Sequence, residues 1–241
     1  MQTIYAKATQ VTVCLGDSPD AHLARGLIVK LYSFIVMFNP KDWTEAIASI
    51  YITSQKLNDW NKPPEWLALK KMLRNPWFER CWVLQEVVLA RKIFVMYGGR
   101  YIDWNVLQSV IQAFTHEQAG PIRKLLVGED GHRIATTPAS LLHAPMMEGY
   151  RRAHREGEQL HLHAMLRNTL TFKATDSRDK NFALQGFTEA ASALPIDYKL
   201  ALEEVLINTA RYFLKRPEGI EVLQQAGIGW TEESDGLKTP S

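Results

Sequence analysis

A glutamate four residues after a tryptophan is the pairing in this chain whose types and spacing most suggest chemistry. Trp82 and Glu86 share one face of a helix, because residues four apart are neighbours on its surface. A carboxyl group beside an indole on a part-buried helix is either a structural ion-pair member, with an arginine as partner, or a carboxylate tuned by its surroundings. Other chemistries find less to work with. His161 and His163 are two apart and so point apart on a helix, and no cysteine or carboxylate is spaced to complete a metal site with them. The run Arg151-Arg152-Ala153-His154-Arg155 could bind phosphate, but a short basic run reads as a solvated helix face. No Gly-rich phosphate loop, G-x-S-x-G elbow or Cys/His dyad stands out.

The elements that must position Glu86 are legible around it. Pro76 suits the first position of a helix, where its missing N–H would be unpaired in any case. From there Trp77, Cys81, Leu84 and Val88 recur at helical spacing and predict one buried stripe. Ile93 to Tyr97 is β-rich, Gly98-Gly99 is a two-residue hairpin turn, and Arg100 to Ile102 returns as a short strand. Asp103 then caps a helix through Trp104, Leu107, Val110 and Ile111.

Further elements flank this block. Val11, Val13 and Leu15 alternate like a strand that has no evident partner, which suggests that the sequence begins inside a domain. His22 to Phe38 is an amphipathic helix through Leu23, Leu27, Leu31, Phe34, Ile35 and Phe38. Thr44 to Gln55 predicts a shorter helix, Asn58 to Pro64 a loop, and Pro64 the start of a helix with Trp66, Leu67, Met72 and Leu73. Gly120 to Pro145 is weakly patterned and reads as a loop or insertion. Helices follow around Leu160 to Leu166, Lys180 to Gln185 and Leu200 to Leu214, the last burying Leu202, Val205, Leu206, Thr209, Tyr212 and Phe213. The expected organisation is a domain over residues 1–115, an insertion over 116–150, a helical C-terminal part over 151–230 and a tail over 231–241.

Composition fits an ordinary globular protein: 46% hydrophobic and 22% charged residues over 241 positions, enough for one sizeable core. A net charge of +2 gives no footprint for nucleic acid. The most apolar window, Leu27 to Phe38, is too short to span a bilayer. Cys14 and Cys81 form no spaced framework and read as reduced core thiols of a cytoplasmic protein.

The block Asn75-Pro76-Trp77-Phe78-Glu79-Arg80-Cys81-Trp82-Val83-Leu84-Gln85-Glu86, followed by Leu89-Ala90, resembles the heterokaryon-incompatibility (HET) domain of filamentous fungi. That family carries a pattern close to R-P-W-F-x-R-x-W-V-x-Q-E, then a strand and a glycine turn, here at Gly98. Met1-Gln2-Thr3-Ile4-Tyr5-Ala6-Lys7-Ala8 and Val13-Cys14-Leu15-Gly16 are similar to its M-x-x-I-Y-x-x-A and V-x-W-L-G, with Cys14 in place of the aromatic. Ala174 to Gly186, with Arg178 and Asp179 inside it, resembles A-T-D-P-R-D-K-V-F-A-L-L-G, and Pro195-Ile196-Asp197-Tyr198 resembles the I-x-x-D-Y that follows. The family's L-S-Y-x-W-G strand and L-W-I-D-A-L-C-I-N-Q segment are missing, as is its P-S-W-x-P-D-W stretch after the last helix. The chain therefore looks like an N-terminally truncated member.

The resemblance implies an α/β fold, mostly helical here, with few short strands and one β-hairpin. It also implies a signalling or effector role in fungal non-self recognition and programmed cell death, through self-association or protein partners, with no cofactor. The W-x-x-x-E of Trp82 and Glu86 is similar to the W-C-x-x-E helix of Toll/interleukin-1 receptor (TIR) domains, whose glutamate cleaves NAD in the enzymatic members. The fold is thus expected to be distantly TIR-like. The implied alternative is an NAD-cleaving hydrolase with Glu86 as the catalytic group, Trp82 as its neighbour and NAD as substrate, the carboxylate stabilising an oxocarbenium-like state. A third reading is an inactive fragment, since the strand and loop that would hold the nucleotide are in the missing part. Arg178 and Asp179 are either a site or partner surface or a helix N-terminus in which Asp176 caps and Asp179 favours the dipole; the helix start is preferred.

Overall fold

The computed structural model describes residues 2–37, 64–116, 119, 126 and 137–216. The expected helix at Thr44 to Gln55, the Asn58 to Pro64 loop up to residue 63 and the 231–241 tail lie outside the described residues. Among those described, the protein is α/β and mostly helical, with a three-stranded mixed sheet. It divides into two compact units, Met1–Glu158 and Gln159–Ser241.

The first unit opens with a short helix, α1 (Gln2–Lys7), and strand β1 (Val11–Cys14). Helix α2 (Ala21–Met37) buries Ala21, Ala24, Ile28, Leu31 and Ile35, a stripe with the three- and four-residue steps of one helix face. Leu23, Leu27 and Phe34, expected on that face, are only half-buried, so the helix is rotated towards its smaller residues. Helix α3 (Pro64–Leu73) packs along α2 and buries Trp66, Leu69, Met72 and Leu73, while Leu67 is exposed.

The expected single helix from Pro76 is two pieces. A 3-10 turn covers Pro76–Glu79, with Asn75 as its cap accepting from the Trp77 amide at 3.0 Å. Arg80 is then extended (φ −80°, ψ 134°), and helix α4 (Val83–Val88) starts anew after Trp82. Trp77, Cys81, Leu84 and Val88 are all buried, so the apolar spacing survives although the helix does not.

Strands β2 (Ile93–Tyr97) and β3 (Arg100–Asp103) form the expected hairpin, turning at Gly98 and Gly99 with φ of +50° and +70°. The strand at Val11 has a partner after all. β1 pairs in parallel with β2, Val11 opposite Ile93 and Cys14 opposite Met96, giving the order β1-β2-β3. The mate of β1 is not local in sequence: β2 follows it only after a long crossover. Val11, Val13, Ile93, Val95, Tyr97 and Ile102 bury one face of the sheet. Cys14, expected in the core, points to the other face and is exposed.

Asp103 caps helix α5 (Trp104–Thr115), its carboxylate accepting from the Asn105 amide at 2.8 Å. The expected loop or insertion over residues 116–150 is overturned in its last part. Helix α6 (Ala139–Arg155) runs through Pro145, and its buried Leu141, Ala144, Met147 and Arg151 hold it against α4 and α5. One lost backbone bond at Pro145 is outweighed by that buried face.

The second unit contains helices α7 (Leu162–Asn168), α8 (Asp179–Gln185) and α9 (Leu202–Leu214), with a 3-10 turn at Glu189–Ser192. Helix α9 buries Val205, Thr209 and Phe213, and half-buries Leu202, Leu206 and Tyr212. A buried polar chain links α8 to α9: Gln185 donates to Asn181 at 2.9 Å, and Asn181 donates to the Thr209 hydroxyl at 2.7 Å.

Candidate functional site

The break at Arg80 decides how Glu86 is held. It swings Trp77 back towards α4, where the indole Nε1–H donates to Glu86 Oε2 at 3.0 Å. A regular helix would not bring residues nine apart into contact. The tryptophan that engages Glu86 is therefore Trp77, and Trp82 stands half-buried at the N-cap of α4 with no side-chain capping bond. Among the described residues no guanidinium forms a salt bridge with Glu86, and Arg80 acts on it through its charge alone.

Glu86 is half-buried, and burial raises its pKa above the ordinary carboxylate value; the Trp77 hydrogen bond and the Arg80 charge oppose this. Tyr5, on α1 against α4, shares the neighbourhood: its phenol is also raised, by burial first and then by the charge of Glu86, with Arg80 acting the other way. Tyr5, Trp77, Arg80 and Glu86 are thus one electrostatic group drawn from three elements. Tyr5 was missed as a site residue, although it lies in the Ile4-Tyr5 pair of the resemblance. Asn75 was missed too: its amide donates to the Leu15 carbonyl at 2.7 Å and ties the turn to the end of β1.

The remaining motif residues of this unit serve the scaffold. Phe78 is fully buried, and its carbonyl accepts from His143 Nδ1 at 2.7 Å, which requires the proton on that nitrogen. Burial lowers the His143 pKa, with the Phe78 bond and Glu79 opposing. Gln85 is buried and Arg80 exposed. Trp77 and Trp104 meet edge to face at 6.2 Å, and Trp104 Nε1–H donates to Glu148 at 2.7 Å. At Gly98 an added Cβ would lie 2.5 Å from both Ala21 Cβ and the Ser18 carbonyl oxygen.

Arg178 and Asp179 stand in the second unit. The Arg178 side chain bonds both oxygens of Asp176 and the carbonyls of Tyr198 and Leu200, both at 2.8 Å. Asp179 accepts from the Tyr198 hydroxyl at 2.5 Å. The guanidinium holds Asp176 below the ordinary carboxylate range. Asp176 also accepts from the Arg178 amide at 3.0 Å, so it caps the first turn while Arg178 locks the Tyr198–Leu200 strap to it. His161 and His163 do not point apart: His161 precedes α7 with extended backbone, and the rings lie 5.9 Å from one another. Among the described residues, no group of His, Cys, Asp and Glu could hold a metal ion, and no helix is long and apolar enough to cross a membrane.

Residues 1–86 match the heterokaryon incompatibility protein (HET) family. No curated protein and no solved structure matches the chain. The HET match takes in Tyr5, Trp77, Phe78, Arg80, Trp82, Gln85 and Glu86, the whole electrostatic group included. Gly98, Arg178 and Asp179 lie beyond it. The HET match supports a heterokaryon-incompatibility-type role in fungal non-self recognition.

Proposed function

We propose that the chain is a signalling or effector module of incompatibility-type programmed cell death, acting in the cytoplasm through self-association or protein partners. The observation that carries this reading is the HET match over residues 1–86. The placement of the motif supports it: Asn75, Trp77, Phe78 and Glu86 are bonded into the scaffold, as expected of residues that build a module. Inducible expression of the full chain in a filamentous fungus, scored for hyphal death, tests it, with light scattering on the purified chain for association. Death together with an oligomer larger than the monomer is expected. Healthy hyphae and a monomeric chain would sink the reading.

A second reading, hydrolytic cleavage of NAD in the manner of a TIR-like enzyme, is favoured by one observation. Glu86 is a half-buried carboxyl with a raised pKa and an indole donor on one oxygen. Nicotinamide leaves from a quaternary ring nitrogen as a neutral molecule and takes no proton. Glu86 would therefore act in its ionised form, stabilising the oxocarbenium-like state, with the Trp77 indole fixing one oxygen. Chromatography of NAD with the wild-type chain and Glu86→Gln separates the readings. Turnover that vanishes in the variant supports hydrolysis, and turnover equal in both removes Glu86 from it.

A further inference from the structure

Two basic segments distant in sequence meet in the first unit. The carbonyl of Arg91, in the turn between α4 and β2, accepts from both Arg151 and Arg155 of α6. Arg151 is 2% exposed and pairs with Glu148 at 3.4 Å, yet its Nε has no hydrogen-bond partner among the described residues. Glu148 already accepts from Trp104, so one carboxylate serves an indole and a buried guanidinium. No salt bridge among the described residues neutralises Arg91, Lys92, Arg152 or Arg155, whose side chains are exposed. Favourable charge at the α6 C-terminus explains Arg152 and Arg155 in part, but not the Arg91-Lys92 pair. Arg155 holds the Arg91 carbonyl at that helix end, and Arg152 lies three residues before Arg155 on a neighbouring part of the helix surface.

The cluster continues onto an apolar strip. The Lys92 ammonium sits 4.7 Å from the centre of the Phe94 ring. Phe94 lies on the open face of the sheet, opposite Thr12 and Asp103, and Met96 beside it lies opposite Cys14 and Tyr101. Phe94 and Met96 are half-buried and Tyr101 is 54% exposed. The acidic groups nearby are Asp103, which caps α5, and the exposed Glu156 and Glu158 beyond the end of α6.

We infer that Arg91, Lys92, Arg152 and Arg155, with the adjoining strip of Phe94, Met96 and Tyr101, form a docking surface for an acidic segment of a partner protein that carries apolar side chains. Charge complementarity fixes the acidic part, and the strip fixes the apolar part. Nucleic acid fits less well, because half the surface is apolar and the net charge of the whole chain is only +2.

The test is fluorescence anisotropy with the full chain and a labelled peptide of alternating glutamate and phenylalanine. A peptide with lysine for glutamate, a DNA duplex and phosphatidylserine vesicles serve as comparisons. Saturable binding of the acidic peptide that weakens with added salt is expected. The double variant Lys92→Glu/Arg152→Glu should lose about tenfold or more in affinity. Phe94→Ser should weaken binding without removing its salt dependence. Circular dichroism checks that each variant folds, and Arg152→Ala alone is the milder substitute if the double variant does not. No binding, equal binding by the charge-reversed variant, or tighter binding of duplex or vesicles would overturn the inference.

Discussion

At the scale of the residue, Glu86 is a carboxyl group in the wrong medium. Its neighbours bury it more than they pair it, so the folded chain holds its proton more tightly than the unfolded chain does. Its contribution to stability is therefore complete below the ordinary carboxylate pKa and is lost as pH rises through the raised folded value. Glutamine cannot ionise but can still accept from the Trp77 indole. Glu86→Gln should thus gain stability relative to the wild type as pH rises from about 4 to 7, read by urea unfolding at each pH. A variant that tracks the wild type across that window would show Glu86 to be unperturbed. Trp77→Phe acts in the opposite way. It removes the donor and part of a buried ring, and should cost about 2 kcal/mol near neutral pH while raising the Glu86 pKa further. Urea denaturation gives the first effect, and carboxyl titration by carbon NMR gives the second.

At the scale of the element, the hairpin makes the sharpest statement. Gly98 and Gly99 both have positive φ, but only Gly98 sits against backbone, that of Ser18 at the entrance to α2. Gly99→Ala should cost about 1–2 kcal/mol for the left-handed conformation alone. Gly98→Ala adds a contact that neither Ala21 nor the Ser18 carbonyl can relieve, and should cost clearly more; paired thermal melts decide this. The turn was legible because two glycines between alternating apolar runs have few other uses. Asp103 and the start of α5 were legible for similar local reasons. The interruption at Arg80 was not, because Trp77, Cys81, Leu84 and Val88 keep helical spacing across it. That concealed the site itself: the bond from Trp77 to Glu86 exists only because the helix stops between them. The first half of α6 was hidden by Pro138 and Pro145, whose local message is overridden by tertiary burial. Tyr5 carried no local sign of its destination, since its place beside Glu86 depends on how α1 meets α4.

At the scale of the whole molecule, the boundary between units falls in an exposed stretch. Every residue from Glu156 to Gln159 is exposed, and Gly157 has φ +79°. Limited digestion with a glutamate-specific protease should cut early after Glu156 or Glu158, seen by mass spectrometry of the first fragments. First cuts inside α6, at Glu148, or inside α9, at Glu203 or Glu204, would argue against that boundary. The pairing of β1 with β2 has a consequence in time. Val11 meets Ile93 only after the intervening chain has been made, so the centre of the sheet closes through a contact of long sequence separation. A ribosome releases β1 well before its mate exists, and the hairpin of β2 and β3 can form locally first. The strand that the sequence presents as solitary is solitary for part of the chain's synthesis, and its docking onto a ready-made hairpin is a natural late step in folding.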